Sequence, residues 1–547
     1  MKTLKLKFAG SRGGTCRVFV TLALAFFVLT CGAQSEVRDV AQEAVDRIEE
    51  KIRPTDVRHE SGVGYTARLS GGRRGDKDSA GSKCVLLEDG KALSTPRALH
   101  ADIRDKGRGR YSHWTEGSLY FSASDNSDPR TNGKNYTLVS DARVLRHRST
   151  VRVAGAENSY RIDALDGREV LNHKMTIRNL DERVAVVPRL ALEGWPDLSS
   201  SEGILRSILK PEMTDEQKTL AIWKFLVDWR YHYYPAEGGA EIHDPVKFIN
   251  VYGYGFCDDS AQNAAALAKM AGLKSRVWGL SGHVVAETFF EGRWHMIDPD
   301  HEVFYRASAG HIAGVEELAA NPGIITREPR DPIGSDSGSI AKLYTTTANN
   351  QTYEKVFIPS HKLEPKLGPG DEVVFDLRRR DEFHAILFAK EGKPPTFANG
   401  RLMKRIAVGG GAQSAHIEWP YVMLGGRLSW RDDTGSVPNK VLMSVDGENY
   451  VGLPVVSNGA SRSVDLRAWI KKQNKACYQF WLDASGPKAH VKLTLDFQFA
   501  PRALAQVQPG VNRFQCFVGT SDGEPLPDSW KGLEVVHEWQ ESLEKKK

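Results

Sequence analysis

The stretch Tyr252-Gly253-Tyr254-Gly255-Phe256-Cys257-Asp258-Asp259-Ser260-Ala261-Gln262, continued by Asn263-Ala264-Ala265-Ala266-Leu267-Ala268-Lys269-Met270-Ala271-Gly272, decides the reading of this 547-residue chain. Two glycines bring the backbone to a turn. An alanine-rich run of high helix propensity comes next and ends at Gly272. Cys257 is thereby expected at or just before a helix N-terminus, where free backbone N–H groups and the macrodipole favour a thiolate, the reactive form of cysteine. Asp258 and Asp259 stabilise a helix start, while their charge opposes that thiolate. A single cysteine in a long chain is ordinarily a core residue. A histidine and an aspartate further along the chain set Cys257 apart.

A thiolate nucleophile needs a base and a group that orients the base. His283 comes after the turn Ser281-Gly282 and opens the strand pattern Val284-Val285-Ala286-Glu287-Thr288-Phe289. The chain turns at Glu291-Gly292 and returns as Arg293-Trp294-His295-Met296-Ile297-Asp298. If Phe290 faces Arg293 across a hairpin, Val285 faces Asp298, and His283 points to the same sheet face. Diagonal neighbours on one face lie about 7–8 Å apart at the backbone, within reach for a histidine and an aspartate. In this register His295 points away from Asp298 and reads as structural, and Arg276 reads as a core anchor for a carboxylate.

The motifs Gly255-Phe256-Cys257, Ala271-Gly272-Leu273-Lys274-Ser275-Arg276-Val277, Gly282-His283 and Gly292-Arg293-Trp294-His295-Met296-Ile297-Asp298-Pro299, in this order, resemble the bacterial transglutaminase-like superfamily. The helix pattern over 214–234 matches in placement, so the resemblance spans roughly a fifth of the chain. It implies a papain-like α+β core. It also implies that Cys257 is the nucleophile, His283 the general base and acid, and Asp298 the residue that orients and stabilises the imidazolium, as in a Ser-His-Asp triad with sulfur as the attacking atom. The family includes hydrolysis, deamidation and acyl transfer through a thioester. The calcium-site carboxylates of animal transglutaminases have no recognisable counterparts, and no cofactor is expected.

Outward from this core, Thr214-Asp215-Glu216-Gln217 is a capping-box start for a helix carrying Leu220, Ile222, Trp223, Leu226 and Val227 and stopping before Pro235. The pattern over 196–320 is α+β. On its N-terminal side, 63–195 shows short strands separated by Gly, Asn and Asp clusters, an expected all-β module. A Pro/Gly-rich stretch over 321–354 reads as a linker, and 355–547 as a β-sandwich. The expected fold is therefore a multidomain α+β chain with a papain-like core between an N-terminal all-β module and a C-terminal β-sandwich. Residues 34–62 read as a helix and linker, because Val37, Val40, Ala41, Ala44, Val45, Ile48 and Ile52 have helical spacing.

The formal charge is +5, from 74 Lys+Arg against 69 Asp+Glu. Residues 1–33 hold Lys2, Lys5, Lys7, Arg12 and Arg17 and no acid, so cations and anions balance in the remainder. A chain that coats nucleic acid keeps its positive charge in the folded part, and that class is excluded as an expectation. The basic start, the short apolar run over 18–29 and the exit Cys31-Gly32-Ala33 describe a secretory signal peptide over 1–33. Val28-Leu29-Thr30 fits a lipidated Cys31 poorly. The expected mature protein is secreted or periplasmic, with no membrane span after cleavage. Cys84, Cys257, Cys477 and Cys516 form no disulfide framework, although Cys477 and Cys516 are candidates for a pair. The absence of C-x-x-C and H-E-x-x-H leaves no zinc motif.

Several features have ordinary readings. The oxygen-rich run over 122–133 lacks EF-hand spacing and reads as hydrogen-bonded turns. Arg74-Gly75-Asp76 is an isolated tripeptide in a loop. His243-Asp244 reads as a turn before Pro245. Trp419, Trp430, Trp469 and Trp481 read as core residues before they read as sugar-stacking platforms. The leading expectation is an exported cysteine-dependent enzyme acting on amide bonds of a protein or peptide, with cell-envelope glycan or peptidoglycan as further candidate partners. The alternative is a non-catalytic surface or glycan-binding protein that keeps the core as a scaffold.

Overall fold

The four-stranded sheet that carries the candidate site has the order Arg293–Ile297, His283–Phe290, Lys274–Leu280, Gln351–Tyr353, with every neighbouring pair antiparallel. Helix Cys257–Met270 packs across its middle strands. Ala264, Ala265, Ala266 and Ala268 are buried there, and their small side chains allow the helix close to the sheet. The structure is a computed structural model describing residues 33–34, 37–69, 75–77, 81–115, 117–234, 239–353, 356–384, 396–409, 414–431, 440–485 and 489–543. The expected leader, apart from Ala33, lies outside the described residues, as do Arg74 and most of the loop around it. No helix among the described residues is long and apolar enough to cross a membrane.

Elsewhere the chain is mostly β, in several sheets. Strand Val170–Asn179 lies between Glu372–Asp376 and Leu533–Ser542. Likewise Gly510–Thr520 pairs with both Glu157–Ala164 and Val186–Leu192. The segments expected as two separate β-domains, 63–195 and 355–547, therefore share sheets. Alternating hydrophobicity marks a strand and its buried face but does not name a partner several hundred residues away. A smaller core of Ile52, Val57, Tyr65, Leu86, Leu119, Phe121 and Leu138 serves the N-terminal part alone.

Three further expectations are corrected. Val37–Ile52 is a 16-residue strand, paired antiparallel from Val37↔Val151 to Ile52↔Tyr136, where helical spacing suggested a helix. The long strand Tyr136–Val153 offers backbone partners along its whole length, and this pairing overrides a local preference of a few tenths of a kcal/mol per residue. Val40 of the apolar set stays 68% exposed. The expected linker over 321–354 is folded: helix Ser337–Thr345 is capped by Asp336 and buries Ile340, Ala341 and Tyr344 against Val285 and Met296. Its apolar spacing outweighs its Pro and Gly content. Cys477 and Cys516 are both free and buried, Cys477 in the loop before strand Gln479–Ser485 and Cys516 within strand Gly510–Thr520, with burial pushing their thiols up to about 11 and about 12.

The ordinary readings of other motifs agree with their surroundings. Trp419, Trp430 and Trp469 are buried, and Trp481 stacks on His416 at 4.3 Å. Asp125 and Asp128 are engaged by Ser127, Arg130 and Lys134.

Candidate active site

The helix Asp215–Trp229 opens with the expected capping box, in which the Gln217 N–H donates to Thr214 and the Thr214 N–H donates back to Gln217. It ends at Trp229, before the expected stop, because Tyr231–His232 turns extended and pairs in parallel with Tyr254–Gly255. That pairing fixes the approach to the cysteine. Just upstream, a single π-helical turn, Phe248–Tyr252, closes at Gly253 with φ +70°, a conformation that favours glycine. A Cβ on Gly253 would meet Ala500 at 2.8 Å, and one on Gly255 would meet Phe248 at 2.6 Å. The C-terminal β region moors the same turn: the Ala500 N–H donates to Asn250 O at 2.7 Å, and the Gln498 amide to Val251 O at 3.1 Å.

Phe256 is the extended N-cap and Cys257 the first helical residue. As the first helical residue, Cys257 has a backbone N–H without an intrahelical partner. Asp259 closes the helix start by accepting from the Phe256 N–H at 3.0 Å. The two acidic neighbours of Cys257 carry less uncompensated charge than their sequence suggests. Burial pushes Asp259 up to about 7, and Asp258 lies 3.2 Å from His243 Nε2. His243, read from sequence as part of a turn, thus faces the helix N-terminus, while Asp244 caps the turn as expected.

The hairpin has the expected register, with Phe290 opposite Arg293 and Ala286 opposite Ile297. The buried His283 Nε2–H donates to Asp298 Oδ2 at 2.7 Å. Asp298 Oδ1 accepts from the Asp300 and His301 N–H groups at 3.0 and 3.1 Å, so both carboxylate oxygens are held. Trp223 Nε1–H donates to Asp298 O at 3.2 Å, tying helix Asp215–Trp229 to this turn. Cys257 Sγ lies within 4.8 Å of a His283 ring nitrogen. With Nε2 committed to Asp298, Nδ1 is the nitrogen left for the sulfur. Cys257 is half-buried.

Burial works against the His283 imidazolium, but the charge and hydrogen bond of Asp298, with the adjacent Cys257, outweigh it and raise His283 well above the ordinary imidazole value. Burial likewise raises Asp298, and the opposing pull of His283 and His301 wins, holding it below the usual carboxylate range. The structure therefore brings Cys257, His283 and Asp298 together in the order a nucleophile, a base and an orienting carboxylate require. His295 is buried away from them, at 2.6 Å from Ile312 O, and Arg276 pairs with Glu287 at 2.7 Å.

Sequence reasoning missed a second layer. Asp300, two residues beyond Asp298, is buried with a carboxylate oxygen within 4.8 Å of both Cys257 Sγ and a His283 nitrogen. Its Oδ1 is held by Arg230 Nη1 at 3.2 Å and His232 Nδ1 at 2.8 Å. Arg230 also donates to Pro299 O. His301 packs edge-on against His283 at 4.5 Å and bonds Asp331 at 2.6 Å. The run Asp298-Pro299-Asp300-His301 and the triplet Arg230-Tyr231-His232 are dense in such groups and were the available signal.

Residues 202–299 match the family model of the Transglutaminase-like superfamily. No curated protein matches the chain. A solved structure from Parabacteroides distasonis ATCC 8503, described as a "putative protease", is 9% identical over 88% of this chain and 96% of that one, with a TM-score of 0.14. That score is too low for the likeness to bear on fold or chemistry. The matched segment runs from helix Ser201–Ile208 to Pro299 and contains Cys257, His283 and Asp298, so this mostly β chain carries a transglutaminase-like core.

Proposed function

We propose that the chain is an exported cysteine-dependent enzyme that processes amide bonds through a thioester on Cys257. The observation that carries this reading is the convergence of Cys257 Sγ, His283 and Asp298 at a helix N-terminus within a transglutaminase-like core. The Cys257 thiolate attacks the amide carbonyl carbon, and the developing oxyanion meets the free Cys257 N–H. The C–N bond then breaks, and the proton on His283 Nδ1 goes to the leaving amine or ammonia. Asp298 keeps the imidazole oriented and stabilises its charged form throughout. In the second half, His283 takes a proton from water as its oxygen attacks the thioester, and the acid and the thiolate are released. An amine in place of water gives acyl transfer. Hydrolysis is the favoured outcome because water is the default acceptor, and the substrate is a protein, a peptide or the peptide of the cell envelope.

The test is thiol reactivity. The protein is alkylated across pH and the rate is read at Cys257 by peptide mass, for the native chain and for His283→Ala. The expected native profile keeps a high rate well below pH 8.5, where an ordinary thiol loses it, and His283→Ala removes that advantage. A profile of an ordinary thiol, indifferent to His283, sinks the enzyme reading and leaves the scaffold reading. Retention on a polysaccharide array that survives Cys257→Ala would then support glycan binding.

A further inference from the structure

Cys257, His283 and Asp300 offer a sulfur, a nitrogen and an oxygen that all lie within 4.8 Å of one another. We propose that these three side chains bind a divalent cation of the zinc type, and that the bound cation blocks the site reversibly by occupying the sulfur. In a tetrahedral zinc centre the ligand atoms lie about 3.5 Å apart, so side-chain shifts of about 1 Å complete the site and leave the fourth position to water. The donor set is soft and borderline, which selects zinc over calcium or magnesium.

The surrounding groups favour ligation. Asp298 accepts the Nε2–H of His283, which fixes the tautomer whose lone pair is on Nδ1, as in carboxylate–histidine–zinc arrangements. Arg230 and His232 fix Asp300 in position through its Oδ1. Binding releases one proton to solvent, from the thiol or from the imidazolium, whichever holds it. The other cluster of metal-ligating groups among the described residues, His243 with Asp258 and Asp259, contains no sulfur, so the two are separable by spectroscopy. The site does not require that Cys257 be catalytic.

The experiment titrates the metal-free full chain with cobalt(II) alone, then displaces it with zinc(II) alone. The expected result is one equivalent of cobalt showing a sulfur-to-cobalt charge-transfer band that zinc abolishes. The band is absent in Cys257→Ala and needs at least about tenfold more cobalt in Asp300→Asn. His232→Ala changes a half-exposed residue that the core does not need, and it is expected to weaken cobalt by about three- to tenfold. In the unaltered chain, one equivalent of zinc slows alkylation of Cys257 at least about tenfold, read by peptide mass. No sulfur-to-metal band, no protection by zinc, or cobalt binding within twofold of the native value in a folded Asp300→Asn or His232→Ala chain would each overturn the proposal. A cobalt band in a chain whose Cys257 alkylates as an ordinary thiol would keep the metal site and reject the enzyme.

Discussion

Cys257 owes its position to the turn through Gly253 and Gly255 and the helix that follows, and its chemistry to two residues farther along the chain. The sequence makes the nucleophile legible because two glycines before a poly-alanine helix leave little freedom at residue 257. The hairpin makes His283 and Asp298 legible because period-two alternation and a two-residue turn fix the register. Replacing Asp298 by Asn preserves size but supplies a hydrogen-bond donor in place of an acceptor. Turnover on an amide substrate is expected to fall by a factor on the order of 10³ to 10⁴, measured as kcat, with the fold retained. Linkage gives a pH signature for the same residues. His283, raised in the fold, contributes stability that is full below its unfolded value of about 6.5 and is lost as pH rises through its folded value. Asp298, depressed in the fold, contributes stability that is full above about 3.9 and is lost as pH falls through its folded value. Asp259, pushed up to about 7, keeps a proton that the unfolded chain releases, so stability declines as pH rises from about 4 to 7. Urea unfolding at stepped pH is expected to show that decline in the native chain and a flatter profile in Asp259→Asn.

At the scale of elements, the capping-box helix, the cysteine helix and the histidine hairpin were all legible, since each has a local signal: a reciprocal cap, a propensity run, an alternation with a turn. Asp300, Arg230 and His232 were not. Each acts through a partner 68 or more positions away, and the local density of charged groups at 230–232 and 298–301 does not say which of them pair. Val37–Ile52 shows the converse, a genuine helical spacing overruled by a long strand partner. Arg276 illustrates a correct inference about an element's anchor. Glu287 is fully buried, accepts from Arg276 Nε at 2.7 Å and Trp278 Nε1 at 2.6 Å, and receives the Val315 N–H at 2.7 Å. Removing the guanidinium leaves a buried charge short of its cation. Arg276→Ala is therefore expected to cost about 3–5 kcal/mol in denaturant unfolding, whereas a surface pair such as Lys224 with Asp228 should cost under about 1 kcal/mol.

Across the whole molecule, the β regions that flank the core in sequence close on each other in space and hold the turn that delivers Cys257. Pairings such as Val170–Asn179 with Leu533–Ser542 could not be read from the chain, because strand patterns carry faces and not partners. The charge balance could be read directly. Beyond residue 33 the charges cancel, so long-range steering of substrate should be weak, and the rate of amide processing is expected to change by less than about threefold between about 0.05 and 0.5 M salt. A steep loss with salt would instead identify a local charged patch at the cleft. The central claim, that Cys257 carries the acyl group, is tested most directly by acid-quenched mass spectrometry of the full chain mixed with an activated acyl substrate. The expected result is an acyl adduct confined to Cys257, discharged by hydroxylamine, absent in Cys257→Ala and formed at least about 100-fold more slowly in His283→Ala. An unmodified Cys257, or one acylated equally fast without His283, contradicts it.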